Sequence, residues 1–327
     1  MKLLMIGCGS IGERHIKNLV TLAAGTIIAA DTNPDRLSYI KEKYFLEGFD
    51  DIDEAFGAHP DVALICTPPP LHIPLATKAV DHGCHVFIEK PLSDALTHVD
   101  GFLANAKKKQ RVVFVGYNLR FQKGVRLMKQ LLEEGTLGKT VSVRAEFGQY
   151  LPDWRPSQDY TKSYTAQQRM GGGIILDGSH EIDYVRWLTG EITEVACFAD
   201  TLGPLKVDVE DTAEILLKTD SNVIAEIHLD FLQRVYSRTC KIIGTQGTLL
   251  WDYSEQVVKL YSAAKQQWQT YPVQAEPNEM YLEEMKHFLG CVNGKETPLV
   301  DGLTAKKVLE IALEAKKSAK TGKAIHL

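Results

Sequence analysis

The first 120 residues alternate short apolar runs with longer stretches in which apolar positions recur every third or fourth residue. The runs are KLLMIG, TIIAAD, DVALICT, HVFIEK and RVVFVGY. They are short and rich in β-branched residues, as strands covered on both faces are. Between them the pattern predicts helices over Ile11 to about Leu22, His72–His82 and Ser93–Lys109. Alternation of this kind predicts a doubly wound parallel sheet.

After Tyr117 the pattern changes. Gln122–Glu134 has helical periodicity and stops at Gly135, and Lys139–Tyr150 reads as a long strand. A polar, aromatic-rich stretch follows through Trp154, Tyr160 and Tyr164. Gly171-Gly172-Gly173 then precedes a helix running to about Leu188. From Ile192 to Val273 the chain is nearly all strand: ITEVACFA, DTAEILLKT, NVIAEIHLDF, SRTCKIIG, GTLLWDY, QVVKLYS and QWQTYPV. Asp220-Ser221-Asn222 supplies one turn, and Gly244 with Gly247 another. This predicts a large, mostly antiparallel open sheet, with the helices near 122–134 and 174–188 on one face. Two closing helices are expected, about Glu279–Asn293 and Thr304–Thr321. A sheet of this size with so few helices leaves a face to bury against another copy, so a homodimer or homotetramer is expected.

Composition narrows the partners. The chain has 327 residues, more than one core usually organises, so two domains are expected. A formal charge of -5 with scattered lysines and arginines points to no nucleic acid. No window approaches ~18 uncharged apolar residues, so no membrane span is expected. The apolar run of MKLLMIG is too short for a signal peptide and leads directly into a glycine motif. The six cysteines share no CxxC spacing and read as reduced thiols. Together these features lead us to expect a cytoplasmic protein.

The glycine motif carries the first chemistry. Gly7-Cys8-Gly9-Ser10-Ile11-Gly12 follows a strand and opens a helix. In that setting Gly7 permits the tight turn, Gly9 admits a pyrophosphate to the backbone, and Gly12 lets the helix pack closely. The helix N-terminus adds free N–H groups and the positive end of its dipole. The expected fold class is therefore α/β: an N-terminal Rossmann domain over 1–120, then an α/β domain over 121–327. Asp31 ends the second run, 24 residues beyond Gly7. A carboxylate there accepts ribose hydroxyls and repels a 2′-phosphate, so NAD is favoured over NADP; Arg36, close by, is the opposing signal. The strand DVALICT ends in Thr67-Pro68-Pro69-Pro70-Leu71-His72, a rigid loop at the ligand-binding edge of the sheet. Thr67, Pro68 and His72 are candidate cofactor contacts. HVFI ends in Glu89-Lys90-Pro91 at the same edge. Glu89 and Lys90 are candidate cofactor contacts, and Lys90 is a candidate for proton transfer and substrate binding.

In GGGIILDGSHEIDYVRWLTG, Asp177, His180 and Asp183 recur every third residue and would share one face of a continuous helix. A histidine between two carboxylates suits acid–base work on a hydroxyl or carbonyl. A metal site is the rival reading; we expect none, because no further ligand is identifiable.

The segments GCGSIGERHIKNL, CTPPPLH, EKPLS, GYNLRF and GGGIILDGSHEIDYVRWLTG, in this order, resemble the glucose–fructose oxidoreductase / inositol dehydrogenase (Gfo/Idh/MocA) family along essentially the whole chain. The resemblance implies NAD(P)-linked hydride transfer at a hydroxyl or carbonyl carbon of a sugar, cyclitol or sugar derivative. It places the family's lysine on Lys90 and its acid/base histidine on His180. Many members carry an aspartate four residues before that histidine. Here that position is Leu176, and Asp177 is one residue later, an offset of ~100° on an unbroken helix. Both Asp177 and His180 are candidate substrate ligands, and Asp183 is an alternative partner for the His180 ring. Asn118 and Arg120, in GYNLRF, are further candidate ligands, as are Trp154 and Arg155 in GQYLPDWRPSQDY. Two other functions remain open at this point. One is a redox-neutral epimerase or lyase with tightly held NAD, the other a sensor that retains the fold without catalysis.

Overall fold

The computed structural model describes all 327 residues. They divide into two compact units, Met1–Asn118 with Met280–Lys307, and Leu119–Glu279 with Val308–Leu327.

In the first unit the order is β1 (Lys2–Ile6), α1 (Ser10–Thr21), β2 (Thr26–Ala30), α2 (Pro34–Tyr44), β3 (Glu47–Phe49), α3 (Ile52–Gly57), β4 (Val62–Ile65), α4 (His72–Asp81), β5 (His85–Glu89), α5 (Val99–Lys108) and β6 (Val113–Gly116). The six strands pair in parallel in the order β3-β2-β1-β4-β5-β6. Leu3, Leu4, Leu64, Ile65, Phe87 and Ile88 are fully buried, as expected of strands covered on both faces. The strand order reverses between β1 and β4, which opens a crevice at their carboxyl ends.

Three elements escape the apolar pattern. Helix α2 buries only Leu37 and Ile40, and it is set instead by its start, where Asn33 Oδ1 accepts from Arg36 N at 3.0 Å and Pro34 is the first helical residue. Helix α3 starts in the same way on Asp51. Strand β3 has three residues, too few to show a period. The helix expected from Ser93 begins only at Val99, after His98 in a left-handed conformation.

Residues 280–307, which a linear division at 120 leaves with the second domain, pack in the first unit. The reason is aromatic. Phe288 is fully buried, with its ring 5.4 Å from Phe87 and 5.6 Å from Phe114. Val115 N donates to the Val300 carbonyl at 3.1 Å, extending the anchorage.

The second unit contains α6 (Lys123–Glu133), β7 (Thr140–Gly148), α7 (Leu151–Trp154), α8 (Ile174–Asp177), α9 (Ser179–Thr189), β8 (Ile192–Asp200), β9 (Thr212–Thr219), β10 (Ile224–Asp230), β11 (Ser237–Gly244), β12 (Gly247–Asp252), β13 (Val257–Ser262) and β14 (Gln267–Pro272). Helices α10 (Glu279–Val292) and α11 (Gly302–Thr321) follow, then β15 (Ile325–His326). The nine strands run β14-β13-β12-β11-β7-β10-β9-β8-β15. All neighbours are antiparallel except β7 and β10.

One face of this sheet is a core. Ala213, Ile215 and Leu217 on β9 are buried, while Glu214, Leu216 and Lys218 alternate outward. Helices α6, α8 and α9 lie on the inner face, as the sequence pattern predicts. The α6 backbone approaches β12 so closely that a Cβ on Gly124 would sit 2.3 Å from Trp251 Nε1. No helix in the chain is long and apolar enough to cross a membrane.

Candidate active site

The turn after β1 is built to leave its backbone open. Gly7 has φ of +89°, and a Cβ there would lie 2.7 Å from the Cys66 carbonyl oxygen. A Cβ on Gly12 would meet the Gly7 carbonyl oxygen at 2.0 Å, so α1 packs tightly only because residue 12 lacks one. At Gly9 a Cβ would meet nothing within 4 Å, so the peptide between these contacts faces open space. Ser10 and Ile11 begin α1, where amide groups have no earlier carbonyl to bond.

Asp31, at the end of β2, is held from both sides. One oxygen accepts from Cys8 N at 2.7 Å, the other from Asn33 N at 2.8 Å. Each oxygen keeps a lone pair for a further donor. Arg36 is committed elsewhere: its guanidinium donates to the Cys8 carbonyl and to the Glu13 carboxylate. Burial works to raise the Glu13 pKa, but bonds from Lys43 and Arg36 outweigh it and bring it down to about 2. The Glu13 charge is thus offset by Arg36 and Lys43, which leaves the Asp31 carboxylate at this end of the crevice with Arg36 engaged elsewhere.

At the carboxyl ends of β4 and β5 the loops are tied together. The His72 ring lies 2.8 Å from both the Thr67 and the Pro91 carbonyl oxygens and is 1% exposed. Burial pushes its pKa down, so the neutral ring donates to one of these carbonyls at a time. Its position suits holding the Thr67-Pro68 turn against the loop that begins at Lys90. Glu89 also points inward. One oxygen lies 2.6 Å from Nε2 of the fully buried His15, and the other accepts from Lys90 N at 3.1 Å. Thr67 Oγ1 and Asn118 Oδ1 are buried and have no partner within the protein. Two unfilled buried acceptors, an open glycine turn and an oriented Asp31 together fit a dinucleotide.

In the second unit the expected single helix is two. Helix α8 ends at Asp177, and α9 starts at Ser179 after Gly178. A Cβ at Gly178 would press on Leu229 at 2.8 Å and on the Ile174 carbonyl at 2.9 Å, so close packing on β10 needs glycine there. Asp177 and His180 thus sit on either side of a break, and the offset computed for an unbroken helix does not apply. Asp177 is 4% exposed, and Oδ1 accepts from the Tyr164 hydroxyl at 2.7 Å. His180 lies in the first turn of α9, partly exposed.

The structure brings Asp183 and Arg120 to each other. Arg120 Nε and Nη2 donate to the two Asp183 oxygens at 2.8 and 2.7 Å, both side chains being buried. The guanidinium also lies over the Trp187 ring, 5.2 Å from its centre. This forked ion pair clamps α9 to the 119–121 turn. Trp154 is fixed by Nε1 donating to the Gln149 carbonyl at 3.1 Å, and Arg155 beside it is exposed.

Three participants were not singled out from the sequence. Glu13 looked like an ordinary helix residue, and Tyr164 lies in a stretch without period. His15 carried a faint signal, a polar residue beside Ile16 and Leu19 on the apolar face of α1.

Residues 1–117 match "Oxidoreductase family, NAD-binding Rossmann fold", and residues 125–250 match "GFO/IDH/MocA C-terminal domain". A myo-inositol 2-dehydrogenase of Thermotoga maritima is 31% identical over all of this chain and 98% of that protein. The chain belongs to the GFO/IDH/MocA oxidoreductase family. A scyllo-inositol 2-dehydrogenase (NAD(+)) of Bacillus subtilis is 26% identical over 99% of the chain and 95% of that protein. Among solved structures, a levoglucosan dehydrogenase in complex with NADH superposes with a TM-score of 0.91 at 20% identity, covering 100% of this chain and 98% of that one. This member of the family is an enzyme, and its first unit is the family's NAD-binding Rossmann fold. Both the parallel N-terminal sheet and the mostly antiparallel second sheet expected from the sequence are present.

Proposed function

We propose that this oxidoreductase transfers hydride between NAD and a hydroxyl-bearing carbon of a small sugar or cyclitol. The observation that carries the reading is full-length relatedness to a myo-inositol dehydrogenase in a chain that also has Lys90 and His180 where the resemblance puts the family's lysine and histidine, with Asp177 one residue from the family's aspartate position. Gly7, Gly9, Ser10, Ile11 and Gly12 would hold the pyrophosphate and Asp31 the adenosine ribose. Thr67, Pro68, Glu89 and Asn118 would shape the nicotinamide end. When bound, NAD supplies the hydride acceptor.

The protein's own task is to hold the substrate hydroxyl and take its proton. Lys90 and His180 each have the chemistry for it. Tyr164 fixes Asp177, so that its other carboxylate oxygen keeps one orientation. The inward ties on Glu89 set the main chain at Lys90. The test is absorbance of reduced nicotinamide during incubation with cyclitols and aldoses. Stoichiometric NADH formation supports the reading. Conversion of substrate without net NADH would replace it with a redox-neutral isomerase or lyase.

A further inference from the structure

The segment between β7 and α8 lines a half-open cavity of about 360 Å³ in the second unit. One wall is apolar and rigid. Leu151 is 3% exposed, and Trp154, besides its bond to Gln149, sits edge-on to Phe231 with ring centres 5.4 Å apart. The lining also carries charge, from Arg155, Lys162 and Asp159. Asp159 is satisfied locally: Oδ1 accepts from Thr161 N at 3.1 Å and from Thr161 Oγ1 at 2.7 Å. No carboxylate lies within ion-pair distance of Arg155 or Lys162.

The cavity adjoins the candidate chemistry. Thr165 is among its lining residues and is 3% exposed. Its neighbour Tyr164 donates to Asp177. The Tyr164 hydroxyl is pushed far up by burial, and the nearby Arg155 charge acts against that rise. Arg155, which has no carboxylate within ion-pair distance, and Lys162, together with a fixed indole, make a lining suited to one kind of ligand. It is a carbon skeleton with an apolar face and a single anionic substituent.

We propose that this cavity is a subsite for a carboxylate or phosphate on the hydroxylated substrate. Arg155 and Lys162 hold the anion, and Trp154 with Leu151 covers the adjoining carbons. The substrate class is then a sugar acid or sugar phosphate rather than a neutral cyclitol. This rests on the oxidoreductase reading above for the identity of the ligand as substrate.

The test uses the full chain with NADH bound. Calorimetric titration with glucose, glucuronate and glucose 1-phosphate compares a neutral sugar with its two anionic counterparts. At least one anion is expected to bind about tenfold or more tightly than glucose. That advantage, read as the ratio of anion to glucose affinity within each variant, should fall by about tenfold in Arg155→Gln and further in the Arg155→Gln/Lys162→Gln double variant. The anion with the larger advantage distinguishes carboxylate from phosphate. Unchanged melting temperature and NADH affinity check folding of the variants. Equal affinity for all three compounds overturns the subsite, as does absence of binding by both anions or an anion advantage that survives the double variant. Turnover is read separately. Oxidation of neutral sugars without anion preference removes the subsite and leaves the dehydrogenase. Anion selectivity lost in the variants, with no nicotinamide reduction by any compound, removes the dehydrogenase and leaves the anion site.

Discussion

Asp183 has the residue type and spacing of a catalytic group, yet its carboxylate is bonded on both oxygens to Arg120. The perturbation that separates the two roles is Asp183→Asn. The side chains of Asp183 and Arg120 are 1% and 4% exposed, so solvent does not replace what is lost. Each charge-assisted bond contributes ~1.5–3 kcal/mol, and removing one partner of a buried pair costs ~3–5 kcal/mol because the other charge is stranded. At ~2–4 °C per kcal/mol for a domain of this size, melting should fall by ~6–20 °C. Arg120→Gln should cost a similar amount. The apolar double variant Arg120→Met/Asp183→Leu should cost much less than the two single losses added together, since no charge is then stranded. The assays are thermal melting by circular dichroism and kcat measured well below the transition. A positioning clamp predicts a large loss of stability with kcat changed only modestly. If D183N melts within ~2 °C of wild type while kcat falls ~10²-fold or more, the clamp is wrong and Asp183 belongs to the chemistry.

Four further outcomes are expected. Wild type should bind NAD at least about tenfold more tightly than NADP, a difference of ~1.4 kcal/mol, and D31A should erase most of it; a wild-type preference for NADP in parallel titrations would reverse the cofactor assignment. H180A should lose ~10²- to 10⁴-fold in kcat with NADH affinity retained, and D177A less; an H180A enzyme within about threefold of wild type would exclude His180 from proton transfer. His228 bridges Asp230 at 3.0 Å and Glu214 at 2.6 Å, and the hydrogen bond to Asp230, opposed by partial burial, leads the effects that raise its pKa to about 9. Because the folded value lies above the unfolded one, this stabilisation is full below about pH 6.5 and is lost as pH rises through about 9; after screening it is ~1 kcal/mol, and a denaturant midpoint in H228Q as pH-sensitive as wild type over that window would contradict it. The outward sheet face exposes Phe198, Leu216, Ile224 and Trp268 at 80%, 50%, 58% and 54%, so the chain should sediment as a dimer or tetramer and F198D/L216D should dissociate it, whereas a wild-type monomer at micromolar concentration would refute this.

Short-range pattern alone determined a good deal. The period-2 runs from Ile192 to Val273 become seven strands with nearly the expected bounds, because a half-buried strand imprints its alternation on its own residues. GCGSIG determined a glycine turn because the constraint is local: only residues without a Cβ fit at Gly7 and Gly12. The family resemblance followed from such segments in sequence order, and the full-length relative bears it out. Tertiary structure decided the rest. The helix over 174–188 is periodic in sequence, but contact with Leu229, 51 residues further along, selects a break at Gly178. Asp183 meets Arg120 across 63 residues, and β7 lies parallel to β10 with α7, α8, α9, β8 and β9 between them in the chain. Phe288 joins Phe87 and Phe114 although eight of the second sheet's nine strands intervene in the chain. None of these pairings leaves a periodic trace, since each is chosen by which buried surfaces and charges find partners once the sheets have formed. The same holds for the cavity at Trp154 and Arg155: its residue types were visible in the sequence, but which of them line one cavity is decided only in three dimensions.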